Sequence, residues 1–252
     1  MSEALTLTRK QRELLHREAQ ILEVARRILS EEGYLKLNMD RIAEEIEYAK
    51  GTVYQHFKNK EDIIVALNVK MHHKLEELFR KASTFRGHTR DRMAAIGVAS
   101  NLMNRLYPDS QHIDRVTANP SLLEKATPER QEQLRLSQGA CMAVLAEVVE
   151  EAISLGDLSL PPGAGPAELA FGLWAMSTGG YEIISLGLPL VDKGIRDPWA
   201  ALWLNFVKLL DGYGWKPLSS ETDYFEIRRR AWSELFSEEY AEFTPAWARI
   251  NA

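Results

Sequence analysis

Apolar residues recur at helical spacing along almost the whole chain. In HREAQILEVARRILSEEGY, Ile21, Leu22, Ala25, Ile28 and Leu29 share one face, and Gly33 follows where a helix end favours a left-handed residue. Asn38 is a suitable N-cap for a second helix, with Met39, Ile42, Ala43 and Ile46 as its apolar stripe. A break at 47–49 leads to a short helix at about 50–56, where Val53 and Phe57, four residues apart, turn inward together. A longer helix runs from near Asn59 to about 82. Glu61 and Asp62 complement the dipole of its first turn, and Ile63, Ile64, Leu67, Met71, Leu75 and Leu78 supply its inner face.

From about 88 to 215 the pattern stays helical. Thr127-Pro128, Gly165-Pro166 and Asp197-Pro198 each set a cap residue before a proline at the first helical position, and SLGDLSLPPGAGP is a loop between two long helices. The tail from Ser219 forms another amphipathic helix, with Phe225, Trp232, Leu235 and Phe236 on one side. No strand-like alternation occurs, so the predicted fold class is all-α.

Composition narrows the function. The 252 residues are 45% hydrophobic and 27% charged, the balance of a soluble globular protein. No apolar run spans a bilayer, the N-terminus lacks the form of a signal peptide, and Cys141 is the only cysteine. The expectation is a cytoplasmic protein without a membrane role or an intrachain disulfide. Enzyme fingerprints such as G-x-S-x-G, a P-loop, H-E-x-x-H or a dinucleotide motif are missing, so no enzyme activity and no cofactor are expected. His72 and Glu76, four apart, are too few for a metal site, and none is assigned.

Charge changes the picture at the front. Residues 1–70 balance, so the net −5 falls on the remainder. Arg9, Lys10, Arg12 and Arg17 form a basic N-terminal arm, and KGTVYQHFKNK (50–60) holds three lysines and no carboxylate. Two short helices joined by a tight turn, the second poor in acids, make a helix-turn-helix. Gly51 permits close backbone approach; Thr52, Tyr54, Gln55 and His56 project outward to phosphates and base edges; Lys50, Lys58 and Lys60 supply countercharge.

These residues resemble the DNA-binding domain of the tetracycline-repressor (TetR) family over about 21–67. GY at 33–34, RIA at 41–43, KGTVY at 50–54, HF at 56–57 and NKEDII at 59–64 are in register. The departure is in the turn, where Glu47 stands at a usual glycine and Ala49 at a usual serine cap. Each change costs about 1 kcal/mol. With Asn38, Met39 and Ala49 added, the candidate DNA-facing set is Asn38, Met39, Ala49, Lys50, Gly51, Thr52, Tyr54, Gln55, His56, Lys58 and Lys60.

The resemblance implies three regions: an arm and helix-turn-helix domain at 1–65, a ligand-binding and dimerisation domain at 66–218, and a C-terminal extension at 219–252. It implies a homodimer on palindromic double-stranded DNA, a repressor released by a small effector, and the Met and aromatic residues of the candidate pocket suit a lipophilic one. Met103, Tyr107, Cys141, Met142, Phe171, Trp174, Thr178 and Tyr181 are the candidate pocket. Trp199, Leu202, Trp203, Phe206 and Leu210, on the second of two interface helices at about 166–187 and 198–214, are the candidate interface. The alternative is a helical protein–protein adaptor with a vestigial helix-turn-helix.

Overall fold

The computed structural model describes residues 8–239; the first residues of the arm and residues 240–252 of the extension lie outside them. Eleven α-helices occur among the described residues: α1 (Arg9–Glu32), α2 (Met39–Glu45), α3 (Lys50–His56), α4 (Lys60–Ser83), α5 (Thr89–Leu106), α6 (Ser110–Thr117), α7 (Pro120–Leu123), α8 (Pro128–Leu155), α9 (Pro166–Ser185), α10 (Pro198–Gly212) and α11 (Tyr224–Leu235). There is no strand among them, and the fold class is all-α. All three cap-proline starts occur where the sequence places them, at α8, α9 and α10.

The basic arm requires correction. From Arg9 onward it is the first part of α1, begun by a capping box in which Thr8 and Gln11 satisfy each other's backbone donors. Leu14 and Leu15 lie exposed there, so this part of the helix has no apolar stripe.

The described chain forms two compact units, one of residues 8–71 with 112–136, the other of 72–111 with 137–239. In the first, Ile21, Ala25, Ile28 and Leu29 of α1, Ile42 of α2, Val53 and Phe57 around α3, and Ile63, Ile64 and Leu67 of α4 are all buried. Burying such side chains contributes about 1.5–3 kcal/mol each. The same unit takes in α6, α7 and the start of α8, beyond the 1–65 region expected for the domain. Val65 and Val69 of α4 pack against Ala126 and Leu134, with Leu123 beside them.

The second unit is organised around Arg90. Its fully buried guanidinium donates to the carbonyls of Trp215 (2.5 Å), Pro217 (3.0 Å) and Val207 (2.9 Å) and to the Asp211 carboxylate (2.7 Å). Tyr224 of α11 lies under it, with the guanidinium carbon 4.4 Å from the ring centre. Burial works against the Asp211 carboxylate, but hydrogen bonds from Ser219, Arg90 and Lys208 outweigh it and hold its pKa below the usual range. α11 therefore packs on the bundle: Phe236 is fully buried and Arg230 lies over Phe85.

Candidate nucleic-acid interface

The orientation of α3, the candidate recognition helix, is set by the α2–α3 turn. Glu47 is the one non-glycine residue at positive φ (57°) among the described residues. Its amide donates to the Glu44 carbonyl and the Tyr48 amide to the Ala43 carbonyl, the paired bonds of a Schellman end that usually has glycine at this position. Tyr48 fixes the turn to α1: its hydroxyl meets Gln20 (3.3 Å) and Arg17 lies over its ring (5.7 Å). Ala49 then begins α3 with no side-chain cap.

Within α3, Val53 is buried and Phe57 follows buried at the C-cap. Those two anchors fix the opposite side. Ala49, Lys50, Gly51, Gln55 and Lys58 are exposed, Tyr54 is 40% exposed, and Thr52 and His56 are half-buried. Gly51 has no atom within 4 Å of where a Cβ would sit, so its lack of a side chain leaves open space on the outward side.

Three expected members sit differently. Met39 is buried beneath α2 and serves the core, because it belongs to the same apolar stripe as Ile42 and Ala43. Lys60 folds back, its ammonium 3.9 Å from the centre of the Tyr34 ring and 3.3 Å from the Tyr34 carbonyl, so it is held within the domain. Lys50 is exposed but paired with Asp40 at 2.5 Å, and the Asp40 bond raises its pKa. Asn38 is exposed, with its side-chain oxygen accepting from the Arg41 amide as the N-cap of α2.

One residue named for its helix dipole has a larger role in the structure. Asp62, 2% exposed, accepts from the Lys58 amide (3.2 Å) just past the recognition helix. Its other oxygen accepts the Thr127 amide (2.7 Å) and hydroxyl (3.1 Å) at the start of α8. Asn59 adds a bond to the Lys125 carbonyl (2.9 Å). The end of α3 is thus tied to the α7–α8 junction. The local signal was only a carboxylate in a first helical turn; its partner is 65 residues away in sequence.

Residues 21–67 match the family model described as bacterial regulatory proteins, tetR family. Over these residues the chain is similar to that family. The fatty acid metabolism regulator protein of Bacillus subtilis is 42% identical over 48 residues, a match that spans 19% of this chain and 25% of that protein. A TetR/AcrR-family transcriptional regulator from Thermobifida fusca shares the fold with a TM-score of 0.57 at 22% identity, over 79% of this chain and 98% of that one. The FadR regulator of Bacillus subtilis, solved in complex with stearoyl-CoA, does so with a TM-score of 0.55 at 18% identity, over 76% and 96%. The family model covers residues 21–67, while the likeness in fold covers 79% and 76% of the chain in these two structures.

In the second unit, several candidate residues lie elsewhere than expected. Phe171 (59% exposed) and Trp174 (53% exposed) of α9 face outward, their rings in edge contact at 6.0 Å, and so do not line an interior pocket. Met103, Cys141 and Tyr181 are buried, and Tyr107, Met142 and Thr178 half-buried. Burial, only partly offset by a hydrogen bond with Ser100, pushes the Tyr181 phenol up to about 12. Trp203, Phe206 and Leu210 are buried within the unit, Trp203 stacked on Phe206 at 5.4 Å. These three therefore fill the core of the second unit itself, correcting the expected interface set, while Trp199 and Leu202 stay half-buried. The large apolar residues left exposed in this unit are Ile153 and Leu155 of α8, Phe171, Trp174, Ile183 and Leu186 on and after α9, Leu188, Val191 and Ile195 beyond it, Leu204 of α10 and Phe225 of α11. No described helix is long and apolar enough to cross a membrane, and no described group of three or more His, Cys, Asp or Glu is placed to hold a metal ion.

Proposed function

We propose that the chain is a ligand-responsive transcriptional regulator, a repressor that binds palindromic operator DNA as a homodimer. The observation that carries this reading is the outward side of α3. Gly51, Tyr54, Gln55 and Lys58 project together with no carboxylate among them, held by the buried Val53 and Phe57. One helix this short reaches only a few base pairs, so useful affinity requires two copies. The exposed apolar residues on and after α9 support a two-fold pairing surface, because a solvent-facing Phe–Trp pair beside several aliphatic side chains is costly to leave in water.

The effector is a lipophilic molecule that binds the second unit and favours a conformation unfit for the groove spacing. The stearoyl-CoA complex of the similarly folded FadR supports a long-chain lipophilic class. The test is an electrophoretic shift on DNA upstream of the chain's own coding region at several salt concentrations. A palindromic site bound tightly, with affinity falling steeply as salt rises, is the expected result. Binding with no sequence preference would refute the reading.

A further inference from the structure

The first unit contains a cleft of about 480 Å³ lined by Tyr34, His112, Arg115, Asn119, Ser121 and Lys125 over an apolar base that includes the buried Leu122. That volume suits a small molecule. Its lining holds three basic side chains and no carboxylate, in a chain whose net charge is −5. Among the described residues, neither the Lys125 ammonium nor the His112 ring meets a carboxylate. Asn119 and Ser121 are exposed and add polar groups at the rim. On the other wall, Tyr34 donates its hydroxyl to Glu61 (2.6 Å), and burial together with that bond pushes its pKa up to about 12, so it stays a neutral phenol.

We propose that this cleft binds a small oxyanion, a metabolite bearing a phosphate or carboxylate group, separately from any lipophilic effector in the second unit. A recess of this volume with an apolar base has room for a small molecule. Position gives the site consequence. Lys125 provides the carbonyl that holds Asn59, and Tyr34 holds Lys60 and Glu61, so both walls join the segment that follows the recognition helix. A ligand that differs in affinity between the DNA-bound and free forms would shift DNA affinity through these contacts.

The test is calorimetric titration of the full chain with pyrophosphate and, separately, citrate at fixed ionic strength, beside an Arg115→Gln/Lys125→Gln variant. The expected result is one site per chain for at least one anion, weakened about tenfold or more in the variant. The two anions separate phosphate from carboxylate recognition. Should the variant melt more than about 2 °C below the parent, Ser121→Leu, which fills the cleft from an exposed position, replaces it with the same expectation. No heat above the sodium chloride control for either anion, or binding that the variant retains, overturns the proposal. So does a loss of DNA affinity in the variant without anion binding, which makes the cleft a DNA-backbone contact. The operator shift is measured without added anion, so failure here leaves the DNA-binding proposal standing.

Discussion

Asp62→Ala removes one side chain and leaves two backbone donors without their acceptor. The Thr127 amide, bonded at 2.7 Å, begins α8, and the Lys58 amide, bonded at 3.2 Å, ends the recognition element. Loss of an N-cap acceptor costs about 1 kcal/mol, and a buried donor left unpaired costs about 1–3 kcal/mol. Lys58 is exposed and Thr127 half-buried, so water replaces the lost acceptor of the Lys58 amide more readily than that of the Thr127 amide. Together the expected destabilisation is about 2–4 kcal/mol. Asp62→Asn keeps the oxygen that serves Thr127 but turns an N–H₂ towards the Lys58 amide, so it should lose about half as much. Urea unfolding followed by circular dichroism measures both. With a slope near ~3 kcal/mol/M, the alanine variant's midpoint should fall by about 0.7–1.3 M. An alanine midpoint within ~0.2 M of the parent, or an asparagine variant as unstable as the alanine one, would refute the claim that Asp62 holds both ends.

Four further outcomes follow from the same geometry. Lys58→Ala should reduce the salt dependence of operator binding by roughly one phosphate contact, whereas Lys60→Ala, its ammonium held on Tyr34, should leave that slope unchanged; equal effects in shift assays would contradict the placement. Glu47→Gly relieves a left-handed backbone at φ 57° that costs about 1–2 kcal/mol, partly offset by glycine's unfolded-state entropy, so thermal melts should show a net gain of about 0.5–1 kcal/mol. If the proposed dimer pairs through α9, Phe171→Ser with Trp174→Ser should turn it into a monomer in light scattering while helicity is kept; a double variant that stays dimeric would displace the pairing surface from α9. Asp211→Asn leaves the buried Arg90 without its anion and should cost about 2–3 kcal/mol at neutral pH, less than for a wholly buried pair because Asp211 is partly in water. Because the folded carboxyl titrates below its unfolded value, that contribution is complete above the ordinary aspartate pKa of about 3.9 and fades as pH falls through the lower folded value, so the gap between parent and variant should narrow towards acid.

What was legible in the sequence was whatever its neighbours determine. Val53 and Phe57 alone dictate which side of α3 faces out, because residues four apart share a face and their complement lies opposite. The cap-proline pairs fixed the starts of α8, α9 and α10 for the same local reason. A local signal was also present at Thr8-x-x-Gln11, the capping box that makes the basic arm a helix from Arg9; it was obscured because Leu14 and Leu15 give that stretch no buried stripe. The failures share one physical cause. Periodicity shows that residues share a face, never what covers the face. α9 and α10 are apolar over much of their circumference, so spacing did not decide whether Trp203 or Phe171 turned inward. The decision belongs to partners far along the chain, such as Arg228 lying 5.5 Å from the Trp203 ring centre. Asp62 and Lys60 follow the same rule in polar form. Each resembles an ordinary surface charge in its local window, and each takes its role from a group more than twenty residues away, Thr127 for one and Tyr34 for the other. A recognition surface is therefore readable to the extent that its own short helix orients it, and the lysine that left the expected set is the one captured by a distant aromatic ring.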